Sequence, residues 1–406
     1  MHRVAITGIG IVSCLGTGVG KVGKALREGK SGIVFDNERQ TRGFRSPLTG
    51  TIVDFDVQSV LTKKQRKTMP DFAVWAYAAA MEAITTSGID EAELQNEETG
   101  LLFGNDSSCL APIEQVHLLK EQGETKSIGS GLVFRSMTSS VTMNLNTTLR
   151  TRGACWTVSS ACSSGGHAVG QAADLIMLGR QERMICGGAQ EINWESMCSF
   201  DALGAFSTRL TDPPTACRPF DRERDGLVPS GGAAALLLER YDLARKRGAQ
   251  ILGEIGGYGF SSDGNNISVP SAHGLKSSMA KAIRAAGLLP RDIDYVCAHA
   301  TSTLVGDSVE AESILAIFGE AGPLVSSTKS MTGHELWMSG ASQVVYSVIM
   351  ANQGFIAPNI NFAASDPGAE RLRVVRETVE RPPRRVLCNS AGFGGSNSGL
   401  VLNFVT

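Results

Sequence analysis

The chain has no closely spaced cysteine pair, few aromatic residues and no apolar run of membrane-spanning length. Its nine cysteines are scattered, and none of them forms a C-x-x-C motif. This spacing argues against a disulfide framework and against a structural zinc site. A net charge of −2 gives no support for a nucleic-acid binder, which needs a basic surface excess. The first residues lack an export signal, so we expect a cytoplasmic protein.

Glycine is abundant, with 46 residues in 406, and short apolar segments alternate with helical patterns. This composition and order predict a layered α/β fold. Strands are predicted at residues 4–7, 100–104, 158–161, 184–188, 232–239, 251–257, 295–298 and 385–389. Helices are predicted at residues 71–87, 165–178, 277–286 and 308–318.

A basic, turn-like segment at residues 245–250 divides the chain into two predicted parts. Residues 1–250 would form an N-terminal half and residues 251–406 a C-terminal half. Each half has a strand that opens into a turn of small residues, at VSSACSSGG and CNSAGFGGSN. A duplicated architecture is one interpretation of that similarity.

Cys162 is the candidate nucleophile because it follows a predicted strand and precedes a predicted helix in the segment SSACSSGG. A thiol at a helix N-terminus meets free N–H groups and the positive end of the helix dipole, which favour the thiolate. Small neighbours let a substrate approach the sulfur. An inert buried cysteine is the alternative, but this position favours acyl transfer through a thioester.

Two histidines, His299 and His334, lie in loops of small residues that follow predicted strands in the C-terminal half. Buried, hydrogen-bonded core histidines are the alternative interpretation. Two neutral imidazoles near a thiol can donate N–H groups to an enolate oxygen, which favours decarboxylative carbanion chemistry over hydrolysis. One interpretation of Lys329 and Glu310 is a buried ion pair that fixes the charge around the histidines; an ordinary surface lysine is the alternative.

The ordered motifs of the chain resemble those of the β-ketoacyl-[acyl carrier protein] synthases, which are condensing enzymes with a thiolase-like fold. The resemblance covers nearly the whole chain, and the Cys-His-His order is similar to that of the elongating enzymes. The matching segments are VAITGIG near the start, SSACSS at Cys162, RPFDR with RDG at residues 218–226, HATST with Gly306, Asp307 and Glu310, TKSMTGH ending at His334, and GFGGSN at residues 392–397.

The resemblance implies a five-layer α-β-α-β-α fold built from two similar halves, and a homodimer, although a heterodimer stays open. It implies that Cys162 is acylated from a carrier-protein thioester. His299 and His334 would bind a malonyl thioester and stabilise its enolate, and Lys329 would join them in the catalytic set. The backbone N–H groups of Cys162 and Phe393 would form an oxyanion hole, with the Phe393 ring as a gate.

Further expectations follow from the resemblance. Thr301 and Thr303 would contact the phosphopantetheine arm, and Asp307 and Glu310 would support the site. Lys63 and Arg66, in the basic run KKQRK, would dock the acidic acyl carrier protein. No permanently bound cofactor is expected, because the substrates are carried on the phosphopantetheine of the carrier protein.

The chain departs from the family pattern at four positions. Ala300 and Ala391 stand where glycine and phenylalanine are usual, and Trp337 and Met338 stand where small residues are usual. Trp337, Met338 and Ala391 are therefore predicted to reshape the substrate pocket, unless they only repack the core. Fatty-acid elongation is the predicted function. The alternatives are a ketosynthase of an aryl-polyene or polyketide-like pathway, a non-catalytic subunit of a heterodimer, and a Cys-His hydrolase.

Overall fold

The structure is a computed structural model, and we describe residues 1–404 of it. The strands are β1 (Val4–Ser13), β2 (Gly16–Thr17), β3 (Ile33–Phe35), β4 (Leu48–Gly50), β5 (Thr99–Gly104), β6 (Cys155–Val158), β7 (Arg183–Gln190), β8 (Gly232–Arg240), β9 (Gly253–Ser262), β10 (Tyr295–Cys297), β11 (Leu324–Ser326), β12 (Arg373–Val374), β13 (Arg385–Gly392) and β14 (Ser396–Asn403).

The helices are α1 (Val19–Arg27), α2 (Asn37–Thr41), α3 (Val57–Val60), α4 (Lys63–Arg66), α5 (Asp71–Ser87), α6 (Glu91–Leu94), α7 (Leu110–Gln122), α8 (Leu132–Arg135), α9 (Ser140–Leu149), α10 (Ser164–Met177), α11 (Trp194–Leu203), α12 (Tyr241–Lys246), α13 (Ala272–Ala285), α14 (Leu304–Phe318), α15 (Lys329–Thr332) and α16 (Ser339–Gln353). Every helix of the described chain is too short or too polar to cross a bilayer.

The strands repeat one arrangement in the two halves of a continuous sheet. Outward from its centre, one side runs β1-β8-β7-β5-β6 and the other β9-β14-β13-β10-β11, with β12 at the far edge. On each side the first two pairings are antiparallel and the next two are parallel. The antiparallel pair β1 and β9 joins the sides. The two halves are therefore topological copies of each other.

Helices complete a five-layer stack. Helices α10 and α16 pack against each other between the two half-sheets, while α5 and α9 cover the outer face of one half and α13 and α14 that of the other. The middle pair is apolar or small-residued nearly all round, as expected of helices buried on every side. On α10, Gly170 lies against the ring of Tyr258, where an added Cβ would come within 2.3 Å of ring carbon. The predicted α/β class and five-layer order are confirmed.

The predicted elements differ from the observed ones mostly at their ends. Helix α5 has the predicted bounds, and most predicted strands and helices match within a few residues. The prediction for residues 158–161 was wrong, because strand β6 ends at Val158 and Ala161 adopts a left-handed φ of 46° that a strand does not use. Whether the halves meeting near residue 250 fold as separate domains stays a prediction.

Candidate active site

The nucleophile segment is a strained turn between a strand and a helix. After β6 the chain turns through Ala161, and Cys162 lies in a single 3-10 turn immediately before α10. A non-glycine residue with positive φ costs free energy and marks a position that its surroundings hold in place. This is the geometry of a nucleophile elbow, which presents a side chain at a helix N-terminus.

The small residues around Cys162 are needed for packing. Ser163 and Ser164 donate their hydroxyl groups to the carbonyls of Ser160 and Ala161, at 2.7 and 2.6 Å, and so close the turn. A Cβ on Gly165 would lie 3.0 Å from backbone atoms of the segment before α16 and of α16 itself, and one on Gly166 would lie 2.3 Å from Ser398 Oγ. The SSACSSGG pattern thus brings the nucleophile against both halves of the fold.

The thiol of Cys162 is buried, and burial raises its pKa to about 12. The nearby charge of Lys329 and the backbone N–H groups of Cys162 and Phe393 act in the opposite direction. These N–H groups and this charge favour the thiolate, in the expected direction, but the desolvation of the buried sulfur outweighs them. The nucleophile rests as a thiol and needs a base.

His334 is placed to be that base. Its Nε2 lies 3.1 Å from Cys162 Sγ, and its Nδ1 lies 3.2 Å from Ser339 Oγ. His334 lies in the loop after α15, and its backbone N–H donates a hydrogen bond to the Val228 carbonyl at 2.7 Å, which holds the residue in place. Burial and the charge of Lys329 hold the His334 pKa well below its usual value, so the ring is neutral.

His299 shares the site with His334. The two ring centroids are 5.2 Å apart and nearly perpendicular. Burial, Lys329 and His334 all lower the pKa of His299, which is therefore also neutral. Glu310 accepts the backbone N–H groups of His299 and Ala300 at 2.8 and 2.6 Å, which fixes the loop after β10. The supporting position predicted for Glu310 is where the structure places it.

Lys329 is enclosed, with 1 % of its side chain surface exposed. In the described chain its Nζ has no hydrogen-bond partner and no carboxylate within 4.0 Å. The predicted ion pair with Glu310 is absent there, because that carboxylate is engaged by backbone N–H groups and by Asn389 at 2.7 Å. Lys329 acts through its charge, which lowers the pKa of both histidines and of the thiol.

Asp307 shapes the loop that carries the two predicted pantetheine contacts. Its carboxylate accepts the backbone N–H groups of Thr301, Ser302 and Thr303 at 3.0–3.2 Å. Burial raises the pKa of Asp307 to about 7. Ser302 has a φ of 74°, so this loop is held in a conformation that an unsupported chain would leave.

One cavity of about 350 Å³ joins these groups. It reaches Cys162 between the loops of the two halves and opens beside the Phe393 ring, which is 40 % exposed and stacked on Phe200. Its lining includes the predicted residues Cys162, His299, His334, Thr301, Thr303, Glu310, Ala391 and Phe393. No group of three or more His, Cys, Asp or Glu side chains among residues 1–404 could hold a metal ion.

Two residues predicted to line the substrate pocket, Trp337 and Met338, do not line this cavity. Met338 is fully buried in the central core, so its prediction as a pocket residue was wrong. Trp337 does not line the cavity, but it belongs to the same apolar cluster as Cys162. The backbone at this point packs on Gly165 and Gly188, which leaves the Trp337 ring on the side of the nucleophile.

The two residues predicted to dock the carrier protein, Lys63 and Arg66, lie away from the cavity lining. Lys63 begins the short helix α4 and is exposed, while Arg66 at its end is half-buried. Lys64 and Lys67 are also exposed, so the segment presents a basic surface.

Sequence reasoning gave no role to Glu335 or Asp106. Glu335 is buried beside His334 and accepts bonds from Ser342 Oγ at 2.6 Å and from Tyr346 at 2.5 Å. Burial raises its pKa to about 7. Asp106 follows β5, and its charge raises the pKa of Cys162. In the sequence, each of these acidic residues stands within an otherwise apolar or small-residue stretch next to a motif of the site. That pattern could have pointed to a buried carboxylate.

Comparisons with known proteins agree with this geometry. The sequence profile of the Beta-ketoacyl synthase, N-terminal domain, matches residues 1–244, and that of the C-terminal domain matches residues 252–363. The chain belongs to the β-ketoacyl synthase family. It is 38% identical to 3-oxoacyl-[acyl-carrier-protein] synthase 1 of Escherichia coli over 99% of both proteins.

Solved structures show the same relationship. A β-ketoacyl synthase from Burkholderia phymatum superimposes with a TM-score of 0.95 and 32% identity over the full length of both chains. A ketosynthase described in complex with its type II polyketide acyl-carrier protein has a TM-score of 0.88 and 26% identity, again over both full lengths. The predicted family, the thiolase-like fold and the acyltransferase class are confirmed.

The raised pKa of Glu335 predicts a pH-dependent stability. Below about pH 4.5 the carboxyl is protonated in both states, and as the pH rises towards 7 only the unfolded chain ionises freely. The free energy of unfolding therefore falls as the pH rises through this window. Glu335→Gln should abolish the part of this fall that comes from the Glu335 carboxyl. The melting temperature of the variant, followed by circular dichroism, should rise relative to wild type between these pH values and then stay level.

Glu312→Gln, an exposed position on α14, is the matched control and should not change the pH profile. An identical profile for wild type and Glu335→Gln would contradict the assignment.

Proposed function

We propose that this chain catalyses the decarboxylative condensation of an acyl group on Cys162 with a malonyl thioester in fatty-acid elongation. The observation that carries the proposal is the 3.1 Å contact between Cys162 Sγ and His334 Nε2 inside a cavity that also contains His299. The family membership supports the same reaction. The intact thiol and histidine pair disfavours the role of a non-catalytic subunit, and the second histidine disfavours a hydrolase.

The first step is acyl transfer to the enzyme. Cys162 Sγ attacks the carbonyl carbon of the acyl thioester as its proton passes to His334 Nε2. The N–H groups of Cys162 and Phe393, both directed at the thiol region, would hold the developing oxyanion. The carrier thiolate then leaves and takes the proton from His334, which returns the ring to its neutral form.

The second step uses both neutral rings as donors. Ser339 Oγ can donate to or accept from His334 Nδ1, so the ring can carry its proton on Nε2. N–H groups of His299 and His334 would then bind the carbonyl oxygen of the malonyl thioester and stabilise its enolate as CO2 leaves. The enolate carbon attacks the acyl carbon, the Cys162 thiolate departs, and it takes up one proton to reform the thiol.

The substrates would arrive on the phosphopantetheine of an acyl carrier protein, with no other cofactor. Thr301 and Thr303 line the same cavity as the exposed Phe393 ring, where they would contact such an arm. The exposed lysines of α4 offer a basic surface for an acidic carrier, and a related ketosynthase is described in complex with its carrier protein. The nine free cysteines agree with a reducing, cytoplasmic location.

A homodimer is proposed from one exposed apolar face. Strand β6 ends the sheet, and its Trp156 is 42 % exposed. Large apolar side chains of α7 and α8 are also exposed, among them Val116 at 49 % and Phe134 at 45 %. A sheet edge with an exposed tryptophan and exposed apolar helix residues are features that another copy of the chain would cover.

Alanine variants of the two histidines are expected to affect different steps in single-turnover assays. His299→Ala should still accept an acyl group on Cys162, because the imidazole bonded to Sγ is that of His334, but should release little CO2 from a malonyl thioester. His334→Ala should slow both steps, each by about 100-fold or more. Intact-mass spectrometry follows acylation and labelled malonyl thioester follows decarboxylation, with Cys162→Ala as the control that cannot be acylated. Normal acylation of Cys162→Ala would refute the proposed nucleophile.

Carrier docking predicts a defect confined to carrier-bound substrates. Lys63→Glu should raise the KM for acyl carrier protein by about tenfold through lost charge complementarity. Its kcat with a small-molecule thioester should stay at the wild-type value. Lys246→Glu, an exposed lysine on α12, is the control and should change neither constant. Equal KM values for the wild type and the Lys63 variant would exclude this docking surface.

The dimer face predicts a mass of two chains by light scattering after size-exclusion chromatography. Phe134→Asp should yield monomers by placing a charge in the apolar face. Leu178→Asp, at an exposed apolar position at the end of α10, should leave the mass unchanged. A monomeric wild-type protein, or a dimer that persists in the Phe134 variant, would contradict the assignment.

A further inference from the structure

The lining of the cavity that reaches Cys162 indicates on which side of the sulfur the acyl chain lies. Its lining contains Thr301, Thr303 and Phe393, and under the proposed function this side must admit the arm of the second substrate. The acyl group on Sγ remains bound while that arm enters. It therefore needs space on another side of Cys162, next to the apolar cluster that includes Met197 and Trp337.

The indole of Trp337 lies on this apolar side of Cys162. The side chain is 7 % exposed and shares its cluster with Cys162. Its Nε1 donates a hydrogen bond to Ser107 Oγ at 3.0 Å, and its ring packs on Phe200 with centroids 6.2 Å apart. The ring is thus held at its polar edge by Ser107 and packs at a tilt of 51° against Phe200.

The backbone beneath the ring is also fixed. A Cβ added to Gly188 would lie 2.7 Å from the Met338 Cα, and one added to Gly165 would lie 3.0 Å from the Trp337 carbonyl oxygen. The preceding residue, Leu336, has a φ of 42°, which is strained for a branched side chain. The segment has no room to retreat from the nucleophile, so the indole cannot clear this space without breaking its bond to Ser107.

A carboxylate adds to this restriction. Asp106 directly precedes Ser107, and its carboxyl group faces the backbone N–H of Ala161, one residue before the nucleophile. A long apolar chain laid across this region would remove the carboxylate from water without offering it a hydrogen bond, which is unfavourable. A short acyl group leaves it hydrated.

We propose that Trp337, held by Ser107, closes the acyl side of Cys162 and restricts the enzyme to short acyl groups, with Asp106 disfavouring long apolar chains. The inference rests on the proposed function and specifies its substrate class. Acetyl and butyryl groups fit beside the indole, whereas dodecanoyl and palmitoyl groups require its displacement. Trp337 is thus a specificity-determining residue that need not take part in the bond changes.

The test measures the rate at which Cys162 of the full-length protein is acylated by carrier-protein thioesters of increasing chain length. Intact-mass spectrometry should show butyryl transfer at least about 100-fold faster than palmitoyl transfer in the wild type. Trp337→Ala should accept palmitoyl at a rate near that of butyryl. Trp337→Phe keeps most of the bulk without the N–H group, and Ser107→Ala releases the indole, so both should give intermediate ratios.

Trp75→Ala, which removes a partly buried tryptophan of α5 outside this cluster, is the control and should keep the wild-type ratio. Transfer of palmitoyl to the wild-type enzyme as fast as butyryl would overturn the inference while leaving the proposed function intact. If Trp337→Ala does not fold, the wild-type, Trp337→Phe and Ser107→Ala ratios still decide the question. Absence of acylation by any thioester would instead contradict the proposed function.

Discussion

The molecule depends on the contact between a thiol from one half of the fold and an imidazole from the other. Cys162 reaches this point from the N-terminus of α10, and His334 reaches it from the loop before α16. The two helices pack side by side between the half-sheets, so their N-terminal ends meet at one place. Duplication of one sheet topology is what brings these ends together, and His299 enters from the strand that corresponds to β5 in the other half.

A single buried cation organises the electrostatics around this contact. The charge of Lys329 adds to burial in lowering the pKa of both histidines. For the thiol, Glu310 and Glu335, the same charge lowers the pKa and so opposes burial, which raises it. Burial works against every charged group in the same region. The outcome is two neutral imidazoles and a protonated thiol. In this state the thiol can give its proton to His334. Carboxylates are kept at the edge of the site, where they hold loops in place through backbone N–H groups.

Sequence patterns predicted the family and the layered fold, and local motifs singled out Cys162, His299 and His334, whose side chains line one cavity. Cys162 is marked by its small neighbours, and those neighbours are small because helices approach within contact distance there. Helix α16 was not predicted; it is buried on all sides and its sequence has no distinct apolar face. The raised pKa of the thiol, the lack of a partner at Lys329 Nζ and the core position of Met338 could not be predicted from local motifs, because they depend on burial, which only the assembled halves create.

When Cys162 carries the acyl group, the acyl carbonyl should lie in the oxyanion site and leave the histidine side of the cavity open. A crystal structure of the butyryl-enzyme should therefore show electron density continuous with Cys162 Sγ, a carbonyl oxygen bound by the N–H groups of Cys162 and Phe393, and free space in front of His299 and His334. Density on another residue, or a carbonyl oxygen held by the two imidazoles, would contradict this placement.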